Sequence, residues 1–581
     1  MVKYTPVFKL PRVENEIVTM DVEADGLHYM MNKPKVLGLK IRGKSYMVKW
    51  NGSLAGWLEE NMPMIKASVF HNAKFDLHMF IQGGVTANVV HHSQIHCTMV
   101  GEAILDEHQY EYDLDTLGRK HFKMFKISLP EGLKVNQLWE QKPDIVAPYL
   151  FRDLEITEAL YLRQNPKIHE EELQAIMRLE MDVLRALIDM ERRGIPVDMD
   201  KLEWAKDQLD HQLNVITERI NKAVGFELNT MSRPQMMKAF EVMGIGIPIN
   251  DEGNPTFDKT VLKILPYDFC QDILASRSMR KGTDLFIAAI ENYSIDGKVY
   301  TNFHQLRGEG GGVMTGRLSS SGPNMQQAPN PKRSPELSKI IRVLFNTGKN
   351  KHKKWIRGDW EQFEFRIFAH YSGEESVIRA YKSDPATDFH QIISEMTGVA
   401  RDPFAKQINL GLIFGMGEGK LAQQLGLPYT KETNSKGKVY LKPGPEAMEI
   451  FKMYHNKFPG AKKVLQRASN LASQRGYVKT IFGRKIRFPN KHSTYKAGGL
   501  VFQGTAADIM KAKLVELNRS LQEGGGSLIL SIHDEFDAIA ETGCEGWVIT
   551  TMKEVMEDVP WLKVPILADV KAGPNWYEAS K

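Results

Sequence analysis

Two acidic positions, far apart in the chain, carry the chemistry that this sequence could perform. Asp359 lies in RGDWEQFEFRIFAHYSG at 357–373, and Asp534 with Glu535 interrupts the apolar run LILSIHDEFDAIA at 528–540. The first stretch reads as strand, turn and helix, because Phe363, Ile367 and Phe368 return at helical offsets after the turn. Asp359 would then sit at the mouth of a packed sheet, with Glu364 and Arg366 close by. The second stretch reads as a β-hairpin with its acids at the tip. Two aspartates on adjacent strands can hold two Mg²⁺ ions about 3.5–4 Å apart, one activating an attacking hydroxyl and the other stabilising a leaving phosphate. Between them in sequence, Lys406, Leu410 and Phe414 follow at four-residue intervals. One helix face would present a cation, an apolar side chain and an aromatic ring to the same space, with Asn409 and Ile413 beside them.

A second acidic set lies near the N-terminus. In EIVTMDVEADG, Asp21 and Glu23 are two apart and project from one strand face. In HNAKFDLHMF, Asn72, Phe75 and Asp76 open a helix after the apolar strand around 65–70. In YLFRDLEITEALYL, Tyr149 and Asp153 are one helical turn apart. By contrast, His91, His92, His96 and Cys97 match no zinc-ligand spacing.

These residues need a large scaffold. The 581 residues, 42% hydrophobic and 25% charged, suffice for about four structural units. Two helical stripes follow the N-terminal region: Leu179 to Ile188, stopped by Gly194, and Leu202 to Ile220, after the expected N-cap Asp198. The net charge of +5 is small, but residues 331–357 hold nine Lys or Arg against Glu336 alone. Three widely spaced cysteines give neither a disulfide framework nor a CxxC site. No signal-peptide core is present, and no apolar run approaches the ~20 residues that span a bilayer.

The motifs DWEQFEFRIFAH, AKQINLGLIFG and IHDE, in that order, resemble the three polymerase motifs of family A DNA polymerases, those similar to bacterial DNA polymerase I. The resemblance runs from about residue 17 to the C-terminus, and the compact length is similar to that of the replicative polymerases of some phages. It implies an α/β multidomain chain: a DnaQ-like (RNase H-like) 3′→5′ exonuclease domain over 1–165, a thumb over 166–300, a palm over 301–373 and 491–581, and fingers over 374–490. It leaves no room for a 5′ nuclease domain, and the thumb shows no insertion for a processivity factor.

The implied activity is DNA-directed DNA polymerase, extending a primer 3′-hydroxyl with dNTPs, with built-in proofreading. Asp359 and Asp534 would hold two Mg²⁺ ions, Glu535 would support them, and Lys406 would neutralise the departing pyrophosphate. Gln362, Glu364, His390, Lys406, Leu410 and Phe414 would surround the nucleotide. Glu364 would crowd the sugar 2′ carbon. Phe414 lacks the hydroxyl with which many relatives' Tyr could hold that acid, which would loosen the barrier to ribonucleotides. Leu410 stands where relatives carry Phe or Tyr.

TGRLSSSGPNMQQAP resembles the segment along the primer–template minor groove, so Arg317, Asn324 and Gln326, with Gln503 and His533, would contact DNA, and Arg277 and Lys281 would suit phosphates. At the N-terminus, Asp21, Glu23, Asp76 and Asp153 would hold two further Mg²⁺ ions while Tyr149 orients the attacking water. The chain departs from the family before Lys406: an Arg is usual four residues earlier, whereas here Asp402 stands there and Arg401 lies about 140° around a helix. Asp402-Pro403 would start the helix late. The expected partners are primer–template DNA, dNTPs, a helicase or primase and a single-strand-binding protein, for a monomer in a bacterial or phage-infected cytoplasm with no membrane contact. The alternative is an exonuclease or a DNA-binding replication factor with an impaired polymerase half.

Overall fold

Alternation of burial along β1 (Ile17–Ala24) sends Met20 and Val22 into a core and leaves Asp21 and Glu23 together on the opposite face. The computed structural model describes residues 4–128, 143–250, 253–306, 314–347, 352–433 and 439–581. Parts of the glycine-rich stretch, 307–313, and of the basic stretch, 348–351, lie outside the described residues. Strand β1 is the middle of a five-stranded sheet ordered β3-β2-β1-β4-β5, with β2 (Pro34–Ile41), β3 (Lys44–Lys49), β4 (Ala67–Phe70) and β5 (Ile95–Cys97). Strands β1 to β3 are antiparallel, while β4 runs parallel to β1 and β5 parallel to β4. Helix α1 (Ala73–Gln82) follows β4, α2 (Leu114–Phe122) follows β5, and the long α3 (Pro143–Glu170) crosses β1, β2 and β3.

Helix α4 (Gln174–Arg193) joins this sheet to the rest of the chain. Its stripe faces two cores: Leu184 and Ile188 pack with the N-terminal sheet, Val183 and Leu187 with the C-terminal body. Gly194 ends it at φ 67°, a backbone conformation that glycine adopts without a Cβ penalty. Helix α5 (Leu202–Val224) follows and packs on α6 (Asp268–Gly282). Asp198 does not cap it. A 3₁₀ turn at Met199–Lys201 precedes α5, and the Asp198 carboxylate accepts a 2.8 Å bond from Asn346 instead.

The C-terminal body is organised on a four-stranded antiparallel sheet ordered β7-β8-β6-β9: β7 (Gly526–Ile532), β8 (Glu535–Ala540), β6 (Lys354–Trp360) and β9 (Ala568–Gly573). The inner strand β8 is buried at every position, as a strand covered on both faces must be. Helices α10 (Ala497–Glu523) and α11 (Glu545–Glu557) pack against this sheet. Gly358 permits the close approach of α11, since a Cβ there would meet Met556 Sδ at 2.6 Å. Between β6 and α10 lie α7 (Phe363–Ser372), α8 (Phe389–Thr397) and α9 (Lys406–Ile413), together with an exposed hairpin of strands Tyr429–Thr433 and Val439–Pro443. Among the described residues no helix is long and apolar enough to cross a membrane.

Candidate active sites

The C-terminal sheet brings Asp359 and the hairpin acids together by register. Asp359 pairs with Glu535 across β6 and β8, and the β7–β8 turn is only His533 and Asp534, with His533 at φ 55°. That turn sets Asp534 beside Asp359. Burial, and then the charge of Asp534, push the Asp359 carboxyl up to about 7; burial raises Asp534 as well. Two repelling carboxylates in the lining of one cleft form a hard-oxygen donor set that suits a divalent cation such as Mg²⁺.

Glu535 does something different. Its carboxylate accepts from Arg357 Nε at 2.7 Å, Trp576 Nε1 at 2.8 Å and Arg342 at 3.3 Å. Burial opposes its ionisation, yet Arg357 and Arg342 hold it below the usual carboxylate range. Arg357 also donates to Asp359 at 2.6 Å, so one guanidinium spaces the two acids. Arg357 is two residues before Asp359, on the same strand face, and the period of two could have revealed it. Arg366, expected close by, is instead fully buried and donates to the carbonyls of Glu361, Pro565 and Pro385.

Asp359, Asp534, Glu364, Lys406 and Leu410 line one cleft of about 600 Å³, together with Arg317, Gln326, His533 and Lys281. Arg317 donates to Glu364 at 2.5 Å. Gln326 clamps the hairpin: its amide donates to Ser531 O at 2.7 Å and its carbonyl accepts from His533 N at 3.2 Å. Asn324 sits by Ser320, and Gln503 is half-buried on α10. Arg277 is turned away from the cleft, its guanidinium bonded to the carbonyls of Thr230 and Phe257. It fastens the helical region instead of offering a free charge to phosphate.

Helix α9 starts at Lys406, after Asp402 breaks the helical path at φ −112° and ψ 131°. Arg401 pairs with Asp388 at 2.7 Å and with Asp402. Phe414 falls just past α9, its ring against Gly499 of α10. Asn409 and Ile413 are buried, and Asn409 bonds the Nδ1 of His390 at 3.0 Å and Tyr454 at 2.8 Å. Burial and then Lys406 push His390 down to about 4, so its imidazole is neutral. Gln362 bridges Thr387 O, Phe389 N and Tyr381, which ties α7 to α8.

In the N-terminal sheet, oxygens of Asp21, Glu23 and Asp153 lie within 4.8 Å of one another. Asp76 stands off from this group. Its Oδ1 accepts from Val22 N at 2.8 Å, because β4 pairs β1 only through Thr19 and leaves that N–H beyond the ladder. Burial, and then Asp153, push Asp21 up to about 7. Asp153 Oδ1 is buried with no hydrogen-bond partner among the described residues, as an oxygen waiting for a cation would be. Tyr149 lies close enough for the charge of Glu23 to bear on its hydroxyl. Lys126 also reaches this cluster, with Nζ 2.7 Å from Asp153 Oδ2. No sequence pattern signalled it. The histidines near residue 91 do not converge: His91 bonds Asp189 and His92 bonds Asn88 O, while His96 is buried.

The sequence model for DNA polymerase family A matches residues 199–578. The chain belongs to that family. It is similar to DNA polymerase DpoZ of Acinetobacter phage SH-Ab 15497, 33% identical over 97% of each chain, and of Salmonella phage PMBT28, 34% identical over 98% of each. It is also 27% identical to DNA polymerase I of Pseudomonas aeruginosa, covering 88% of this chain and 57% of that protein. In fold it resembles the POL domain of Pol1 from M. smegmatis, solved in complex with DNA primer-template and dNTP, with a TM-score of 0.78 and 22% identity over 97% of this chain and 96% of the other. The chain is a DNA-directed DNA polymerase, a mixed α/β protein with the polymerase fold.

Proposed function

We propose that this polymerase extends a primer 3′-hydroxyl with dNTPs at the C-terminal cleft and removes 3′-terminal nucleotides at the N-terminal carboxylate cluster. The observation that carries the first half is the meeting of Asp359 and Asp534 in the lining of a cleft that also holds Lys406. Asp359 and Asp534 would hold the divalent ions. Bound there, such ions supply Lewis-acid stabilisation of the attacking and leaving oxygens. The protein's own residues do the rest. Arg357 and Glu535 fix Asp359 in place, and Lys406 stands by the nucleotide's phosphates. Neutral His390 is a hydrogen-bond partner for those phosphates, Glu364 crowds the sugar 2′ carbon, and Leu410 and Phe414 pack beside sugar and base. Arg317, Asn324, Gln326, Gln503 and His533 face the primer–template, with Lys281 toward its backbone.

In this reading residues 1–165 form the exonuclease domain, 166–300 the thumb, 301–373 with 491–581 the palm, and 374–490 the fingers. Asp21, Glu23 and Asp153 would hold the second pair of ions, with Asp76 completing the set once its carboxylate turns from Val22, and Tyr149 orienting water. Primer–template DNA and dNTPs are the substrates, and other replication proteins the partners.

The test is separation of the activities. Asp359→Asn or Asp534→Asn is expected to reduce extension of a primed template by at least about 10³-fold while sparing degradation of single-stranded DNA. Asp21→Asn with Glu23→Gln is expected to do the reverse. Loss of both activities from a folded variant of either kind would sink the two-site reading.

A further inference from the structure

Lys126 is the one cation that the described residues place against the N-terminal carboxylates, and its position is built, not accidental. The segment that carries it leaves α2 through Lys123, whose φ of 59° reverses the chain. Met124 N then donates to Gly118 O at 3.1 Å, and Gly118 is needed there, since a Cβ would meet Met124 O at 2.9 Å. Lys126 N itself donates to Asp115 Oδ1 at 2.9 Å. With its backbone pinned twice, the side chain reaches inward past the Tyr149 ring, 5.1 Å from its centroid, to Asp153 Oδ2. The ammonium therefore occupies one oxygen of a carboxylate whose other oxygen is buried and without a hydrogen-bond partner among the described residues.

We propose that Lys126 is an intramolecular counter-ion that competes with divalent metal for Asp153 and so sets the metal concentration at which the N-terminal site fills. This rests on the reading that Asp21, Glu23 and Asp153 hold a divalent ion. Three carboxylates this close repel one another, and without a cation the repulsion falls on the fold. Lys126 relieves it in the metal-free protein. A divalent ion that takes Asp153 must displace the ammonium and then bear its repulsion. The side chain is 30% exposed and can swing outward, so the exchange needs no backbone movement. The cost is paid by this site alone, because Lys126 is not among the residues lining the C-terminal cleft. The result is a polymerase whose degrading site responds to metal at a higher concentration than it would with an apolar side chain at 126.

The experiment is direct metal binding by the full chain. Asp359→Asn with Asp534→Asn removes the cleft ligands, and free Mn²⁺ is then followed by electron paramagnetic resonance during titration. On that background Lys126→Met and Lys126→Gln are expected to lower the half-saturating Mn²⁺ concentration by about ten-fold, the size of losing one charge-assisted bond to the competitor. Lys126→Arg keeps the cation and is expected to stay near the parent value. A merely structural lysine would give the opposite sign, because a disordered site binds metal more weakly. Unchanged or weaker binding in both neutral variants overturns the proposal. Adding Asp21→Asn with Glu23→Gln should abolish the remaining binding. If it does not, the metal reading of the N-terminal cluster falls, which is a different failure from that of Lys126.

Discussion

Glu364 illustrates how a single side chain acquires its task from its neighbours. Phe414 offers it no hydroxyl, and from sequence this suggested a loose barrier against ribonucleotides. The structure supplies another holder, Arg317, at 2.5 Å. Glu364→Ala is therefore expected to raise ribonucleotide incorporation, and Arg317→Met to raise it by up to about 5-fold, the size of losing a partly exposed ion pair. Single-turnover ratios of ribo- to deoxynucleotide incorporation measure both, and an unchanged ratio in Arg317→Met would return the role to Glu364 alone. Leu410 makes the complementary case. A normal nucleotide's 3′-hydroxyl can bond its own β-phosphate, a dideoxynucleotide cannot, and leucine has no donor to replace that bond. Strong discrimination against dideoxynucleotides is expected. Leu410→Tyr should weaken it by about 10- to 150-fold, read as the ratio of kcat/KM for the two substrates. If the natural chain already accepts both equally, Leu410 does not lie beside the sugar.

At the scale of elements, the two halves are locked through α4. Its buried Glu180 accepts from Arg484 at 2.5 Å, Lys511 of α10 at 2.6 Å and Gln305 at 2.8 Å, and Arg484 also reaches Asp508 of α10 at 2.7 Å. Toward the N-terminal sheet, Glu191 of α4 takes Lys74 and His78 of α1. Glu180 is ionised although burial opposes it, because Lys511 and Arg484 outweigh that cost. Breaking such a group from one side strands the remaining charges. Arg484→Met should destabilise the protein by about 3–5 kcal/mol, measured by urea unfolding. A loss below about 1 kcal/mol would mean that Glu180 and Asp508 become neutral at no cost, and the network would then not be the lock between the helices.

At the scale of the whole molecule, two acidic sites lie in different cores, one on the five-stranded sheet and one on the four-stranded sheet. Both contain carboxylates pushed up by burial and then by a neighbouring carboxylate, so the metal-free fold carries repulsion at each that Lys126 and Arg357 relieve only in part. Mg²⁺ that binds only the folded state should raise thermal stability, by about 2.7 kcal/mol at a hundred times its dissociation constant. Asp21→Asn with Asp359→Asn should be more stable than the natural chain without metal, yet gain less from Mg²⁺. Equal gains in both proteins would place the stabilising ions elsewhere.

Local pattern alone determined a good deal. The strand–turn–helix at Asp359 and the acidic hairpin at Asp534 follow from apolar periodicity broken by polar residues, and such periodicity is a property of neighbours in sequence. The order of three motifs likewise identified the polymerase family without any contact being known. What sequence could not decide were the partners drawn from distant segments. Glu535 looks like Asp534's twin in the chain, but β8 turns it toward Arg342, Arg357 and Trp576. Arg277 looks like a free cation on a helix until two carbonyls claim it. Asp76 belongs to its acidic set by family resemblance, yet a strand N–H left beyond the ladder draws it aside. Lys126 belongs to no motif and is brought to Asp153 only by the chain reversal after α2. A side chain's type fixes which bonds it can make; which it does make depends on what the fold leaves unsatisfied within reach, and only the tertiary structure holds that information.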